Sequence, residues 1–342
     1  MASISDYKLL TIVIPTFNRC EQIKENISLT IPQVMEYQDK VRIYVSDNAS
    51  TDGTSEMIQD YLEKYPENIF YFCQPQNITA SPNFNHAVHA VNSEYVYILG
   101  DDDLLFPNFI QTVLNLIKQN PEIGLFHFNY LFGYANLNKC KLMHENLYFT
   151  HSDALKKYQN GHNFIQEHLN GPSFISSNLF KRSLWINGTE YVKEDCSGYV
   201  WFSILLYGSL DYPCAYYPFP LLIQRFPIVA AYSKNWPLYY IVGLGNLFEY
   251  LDEKCPGIYD EWIDFSQRKH LKELLCIISE IVYNRSFYKK NRSSVKKYVR
   301  NNFLVYMYFS ACLLPMPQIL MGKVAPFFVK LLSKSKQKRN CD

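Results

Sequence analysis

The sequence predicts an α/β protein, a doubly wound and mainly parallel sheet followed by a helical C-terminal region. Three observations carry that expectation. Over roughly the first 130 residues short apolar runs alternate with amphipathic stretches, and strands alternating with helices imply a sheet covered on both faces. Three of those runs end in a polar loop, where ligands of such sheets bind. Beyond about residue 226 the alternation gives way to stretches rich in helix formers. At 342 residues, 48% hydrophobic and 19% charged, the chain suits one large or two modest globular domains.

In order, Leu9 to Ile14, Val41 to Val45, Ile69 to Phe72, Tyr95 to Leu99 and Ile123 to Phe128 read as strands. Helices fit between them at about 19–36, 52–65, 83–92 and 107–119, the last opened by Pro107. The first strand runs into PTFNR, the second into SDNASTDGT and the fourth into GDDDLL. From about 131 to 230 the pattern is less regular and carries GPSFISSNLFKRSLW and YVKEDCSGYVWFSILLYG. Residues 236–254, 258–286 and 292–314 read as helical, without internal repeats. The expected division is a domain over 1–225 and a helical region over 226–342.

Composition and motifs exclude several functions. A net charge of +1 argues against a nucleic-acid partner, which would demand a basic surface to replace counterions. Neither GxGxxG after the first strand nor GxxxxGK[ST] occurs, so a dinucleotide fingerprint and a P-loop are unsupported. The nine cysteines never stand as CxxC, which points to neither a zinc site nor a disulfide framework and fits a reducing cytoplasm. The N-terminus shows no basic start followed by a long apolar region, so neither signal peptide nor anchor is expected. The Asn-x-Ser/Thr triplets at Asn26, Asn48, Asn77, Asn187 and Asn291 then read as chance occurrences. His86 and His89, three apart on a helix, lack a third ligand and read as packing or surface residues.

The chemistry concentrates in Asp101, Asp102 and Asp103. Like charges this close raise one another's pKa unless a cation neutralises them. Mg²⁺ or Mn²⁺ takes carboxylate and phosphate oxygens together, so an ion held by Asp103 and Asp101 could bind a diphosphate and stabilise its departing charge. An acidic cap on the following helix is the competing explanation.

Taken in order, TIVIPTFNR, VSDNASTDGT and YVYILGDDDLL resemble the N-terminal half of family 2 glycosyltransferases with the GT-A nucleotide-sugar-binding fold. The resemblance covers about 130 residues strongly and extends weakly to about 210. It implies that Pro15, Thr16 and Asn18 line the nucleotide pocket, that Asp47 lies near the base and ribose, and that the aspartate run is the metal site, with Asp103 its first ligand, Asp101 its second and Asp102 orienting water or ribose. QNITASPNFNHAVHA resembles a stretch that approaches the donor, with Asn77 and Asn85 as polar contacts or else capping groups of a helix. Two departures stand out: Ser46 replaces the first of two acidic residues frequent before the second loop, and Thr79 stands where Gly is frequent.

An inverting transfer needs a base for the acceptor hydroxyl. Glu194-Asp195 resembles the family's ED motif, which makes Asp195 the base with Glu194 supporting it, although CSGYVWF follows without a further acidic residue. An acidic helix start explains the same pair. Ser176 and Ser177 could meet an acceptor sugar or belong to an ordinary turn. Twelve apolar residues at 303–314 are too few to span a bilayer. With Lys330, Lys334, Lys336, Lys338 and Arg339 after them they suggest either an interfacial helix on the cytoplasmic face of the inner membrane or a packed helix with a basic tail. The SDNASTDGT and PNFN pattern is similar to that of abequosyltransferase-like members, and the resemblance implies transfer of a hexose or deoxyhexose from a nucleotide-sugar donor to a glycan acceptor, a lipid-linked unit of a bacterial surface polysaccharide, with capsule polymer and protein glycosylation as the other acceptors. A sugar-phosphate nucleotidyltransferase and a non-catalytic membrane-associated scaffold are the alternatives.

Overall fold

The structure is a computed structural model that describes residues 7–133, 140–142, 155–169, 171–192, 198–225, 239–266 and 292–299. Glu194, Asp195, the apolar stretch at 303–314 and the basic tail lie outside the described residues. The chain divides into two compact units, with the main boundary after residue 228.

The first unit is built on one sheet of ten strands. Strand β1 spans Lys8–Thr16 and β2 spans Val41–Asp47; β1 is buried from Leu10 onward and β2 throughout, the signature of strands covered on both faces. Beside them lie β3 (Ile69–Cys73) and β4 (Ser93–Ile98), and β3-β2-β1-β4 is a parallel half-sheet. Strand β5 is the two-residue Leu104–Leu105, absent from the sequence expectation, and β6 spans Leu125–Gly133. The short strands β7 (Cys140–Leu142), β8 (Lys156–Tyr158) and β9 (Asn178–Lys181) precede the long β10 (Cys214–Arg225). Beyond β4 the order is β9-β6-β10-β5, with β9 antiparallel to both its neighbours and β10 parallel to β6.

Helices cover both faces. Helix α1 (Cys20–Glu36) buries Ile23, Ile27, Ile31 and Val34, the three- and four-residue spacing of one helical face. Helices α2 (Thr54–Lys64), α3 (Ala80–Ala90) and α4 (Phe109–Gln119) follow the second, third and fifth strands, and α5 (Gly161–Glu167), α6 (Arg182–Gly188) and α7 (Val200–Ser209) flank the later ones. The core joins β1, β2 and β4 to α1 and α4 through residues such as Ile12, Ile43, Tyr97, Phe109 and Val113.

The second unit is helical where it is described. A π-helical turn at Tyr239–Gly243 leads into α8 (Leu244–Leu251), then come a helix at 258–266 and α9 (Arg292–Val299). Its centre is aromatic: Phe248 stacks on Trp262 at 5.6 Å and Tyr298 meets Trp262 edge-on at 6.0 Å. No helix among the described residues is long and apolar enough to cross a membrane.

Candidate functional site

Strand β1 is flanked by β2 on one side and β4 on the other, so the loops after these strands leave the sheet at its topological switch point. Thr16 pairs with Asp47 at the end of the β1–β2 ladder, and the Leu99 N–H still reaches the Val13 carbonyl at 2.8 Å. The three polar loops singled out in the sequence therefore open side by side. Backbone strain gathers on the same edge. The non-glycine residues with positive φ among those described are Asn18 at 52°, Ala49 at 67° and Thr79 at 69°, one in each loop after β1, β2 and β3. Such conformations cost free energy and persist where surrounding contacts over-determine them.

The contacts are visible. Asn18 accepts from the Thr51 N–H at 2.8 Å while its own N–H donates to the Ser50 hydroxyl at 2.9 Å, tying the first loop to the second. Asp47 is fully buried; one oxygen accepts from the Ser50 N–H (2.9 Å) and hydroxyl (2.6 Å), the other from the Tyr71 hydroxyl at 2.7 Å. Burial and the Asp47 carboxylate raise the Tyr71 phenol well above its usual range, so it stays a donor. Asn77 accepts from Thr79 N–H at 2.9 Å, and Asn48 accepts from Ile78 N–H at 2.9 Å, which joins the second loop to the third. Asn26 and Asn48 are 1% and 5% exposed, so their glycosylation triplets are closed in the folded chain.

Asn85 and Asn83 divide differently from the sequence expectation. Asn85 accepts from the indole N–H of Trp185 in α6 at 3.0 Å. Asn83 is instead buried against Ser46, donating to its carbonyl at 2.9 Å and accepting from its hydroxyl at 2.9 Å. Both asparagines occur in PNFN, and only helix phase distinguishes them. His86 stacks on Phe72 at 4.7 Å, with burial lowering its pKa, and His89 bonds back to the Asn85 carbonyl at 2.8 Å.

The three aspartates do not act alike. Asp103 is 3% exposed and faces inward: one oxygen accepts from the Ser176 hydroxyl at 2.6 Å, the other from the Arg225 N–H at 3.2 Å. Burial, reinforced by the charge of Asp102, pushes its carboxyl well above the usual range. Asp101 accepts from the Thr16 hydroxyl at 2.8 Å, and burial raises its carboxyl to about 7, with Arg19 pulling down and Asp102 pushing up. Asp101 and Asp102 meet at one cation. The Arg19 Nη1 lies 3.3 Å from Asp101 Oδ1 and 2.5 Å from Asp102 Oδ2.

The turn is clamped by residues that sequence reasoning passed over or assigned elsewhere. Asn26 of α1 donates to the carbonyls of Gly100 (3.1 Å) and Asp103 (2.8 Å). Ser176 accepts from the Gly100 N–H at 2.8 Å; with Ser177 it is fully buried, so neither serine meets an acceptor sugar. Gly100 itself is required by closeness, since a Cβ there would lie 2.6 Å from the Asp103 carboxylate. A cap on the following helix does not explain the run: Leu104–Leu105 forms β5 against β10, and α4 begins only at Phe109.

No group of three or more His, Cys, Asp or Glu gathers for a metal among the described residues. Two carboxylates sharing a single cation position do fit a divalent ion that takes its remaining ligands from substrate oxygens, as Mg²⁺ commonly does. The pair with that geometry is Asp101 and Asp102, whereas both oxygens of Asp103 are engaged in the interior.

Solved structures define the class. The fold is similar to Staphylococcus aureus TarS 1–349, solved in complex with UDP-GlcNAc, with a TM-score of 0.57 and 13% identity over 89% of this chain and 88% of that one. It is also similar to a mannosyltransferase from Pyrobaculum calidifontis, solved with GDP-Man and Mn²⁺, with a TM-score of 0.52 and 14% identity over 90% of this chain and 86% of that one. This is the GT-A glycosyltransferase fold. Within it, residues 11–170 match the model of glycosyl transferase family 2, so the chain carries a glycosyltransferase domain of that family. Abequosyltransferase RfbV of Salmonella typhimurium is 32% identical over 117 residues, which are 34% of this chain and about a third (35%) of the relative's length.

Proposed function

We propose that the protein transfers a hexose or deoxyhexose from a nucleotide-sugar donor to a growing bacterial surface polysaccharide, with a divalent ion and with inversion at the sugar. The observation that carries this reading is the sheet edge itself, where the β1, β2 and β4 loops bring the buried polar side chains of Thr16, Asp47 and Asn48 beside a cation position shared by two carboxylates. Likeness to RfbV supports transfer onto a surface polymer; in this reading the acceptor is an O-antigen unit on a lipid carrier.

In this reading Pro15, Thr16, Asn18, Asp47 and Asn77 shape the nucleotide pocket, and Asp101 and Asp102 hold Mg²⁺ or Mn²⁺. The ion would neutralise the leaving diphosphate. Asp103 keeps the turn in register through Ser176 and the Arg225 N–H. Asp195, with Glu194 beside it, would take the acceptor hydroxyl's proton as the sugar is attacked from the face opposite the nucleotide. The basic C-terminal tail would hold the enzyme at the cytoplasmic face of the inner membrane, near a lipid-linked acceptor.

Incubation with a panel of nucleotide sugars tests the reaction. One donor should be turned over, EDTA should abolish that turnover, and Mn²⁺ or Mg²⁺ should restore it; turnover unaffected by chelation would remove the metal from the scheme. Asp195→Asn should lower turnover at least about 100-fold, within the usual contribution of a general base, with donor affinity unchanged. A parallel loss of donor binding would make Asp195 structural instead.

A further inference from the structure

Arg19 closes the PTFNR loop at the N-cap of α1, where a cation opposes the helix dipole, and its side chain makes no capping bond. Its side chain is not there for the helix. One nitrogen, Nη1, sits between Asp101 Oδ1 and Asp102 Oδ2. Those two carboxylates are 10% and 21% exposed and Arg19 is 27% exposed, so the guanidinium stands at the mouth of the acidic turn and not beneath it.

We propose that Arg19 is a built-in competitor for the metal, holding the Asp101–Asp102 position until a divalent ion and a nucleoside diphosphate arrive together, and then moving onto the diphosphate. This rests on reading the edge as a donor-phosphate site. Two cations cannot occupy the same pair of oxygens, so an ion entering alone breaks the Arg19 contacts to Asp101 and Asp102. When the diphosphate is present the released guanidinium gains a partner that it binds through paired N–H donors. The ion and the nucleotide therefore bind with positive coupling, and linkage makes the effect reciprocal. Arg19 is a positioning residue in this scheme, and its signature appears in binding without turnover.

The test measures Mn²⁺ dissociation constants by the EPR signal of free Mn²⁺, using the full chain as wild type, Arg19→Gln and Arg19→Lys. Each is measured alone and with UDP, GDP, CDP or dTDP, and thermal melts check folding. Arg19→Gln should bind Mn²⁺ alone about three- to ten-fold tighter than wild type, the range expected for removing a partly exposed competing charge. The gain in Mn²⁺ affinity on adding the diphosphate should shrink by a similar factor, with Arg19→Lys closer to wild type. If wild type and a folded Arg19→Gln bind Mn²⁺ equally, the competitor role is overturned and the donor site stands. If neither binds Mn²⁺, the metal reading falls and this inference with it. Should Arg19→Gln not fold, the wild-type Arg19 Nε–H resonance, assigned through Arg19→Lys, must move on Mg²⁺ titration; a stationary signal overturns the proposal.

Discussion

A single hydroxyl holds the acidic turn in shape. Ser176 donates to Asp103 and accepts from the Gly100 N–H, so Ser176→Ala would leave a buried carboxylate oxygen and a part-buried N–H without that partner. The expected cost is about 1–3 kcal/mol, read from urea denaturation, because unsatisfied buried polar groups bear their desolvation in full. Asp102→Asn should behave in the opposite way. Its partner Arg19 is partly exposed, so stability should fall by less than about 1 kcal/mol while Mn²⁺ binding is lost. Calorimetry with Mn²⁺ separates the two; intact metal binding in Asp102→Asn would return the ligand role to Asp103. At this scale residue type was legible and orientation was not. Asp101, Asp102 and Asp103 are chemically identical and consecutive, and the inward turn of Asp103 depends on Ser176 and Arg225, which are 73 and 122 positions further on.

At the scale of elements, the parallel half-sheet was readable because buried parallel strands leave continuous apolar runs and their loops carry conspicuous polar residues. Strand β5 is not legible in the sequence: two residues have no period, and Leu104–Leu105 becomes a strand only by pairing with Leu222 and Ile223 of β10. Asn83 and Asn85 are likewise not distinguished by the sequence, since two residues along a helix turn the side chain to another face. In the helical unit, α8 approaches α9 so closely that a Cβ on Gly245 would lie 2.6 Å from the Tyr298 ring. That ring is fixed by its hydroxyl, 2.9 Å from Glu249, and by its packing on Trp262. Gly245→Ala gains up to about 1 kcal/mol of helix propensity but forces overpacking that costs about 1–3 kcal/mol. We expect a net loss of stability, visible as an earlier thermal transition; a later one would show that the ring yields.

Over the whole molecule, the core carries buried phenols whose ionisation couples stability to alkaline pH. Burial lifts Tyr44 up to about 12, and it lifts Tyr95 further. A folded-state pKa above the unfolded value of about 10 means that the native chain keeps its protons longer. The stabilisation is complete below about pH 10 and is lost as pH rises through about 12. The melting temperature should therefore hold from pH 7.5 to about 9.5 and fall steeply beyond, with a shallower fall in Tyr44→Phe. An equal slope in that variant would assign the alkaline loss to other groups.

The sequence by itself determined the order of β1 to β4 and β6 with the helices α1 to α4 between them, the three polar loops, and the residue types that make a glycosyltransferase domain legible. Those features are local, because burial periodicity and loop composition are written within a dozen residues of one another. Only the tertiary structure decided which two carboxylates share a cation, that Arg19 is that cation, and that Ser176 and Asn26 clamp the turn. These pairings join residues between 73 and 85 positions apart, and sheet register brings such residues together whatever their spacing along the chain.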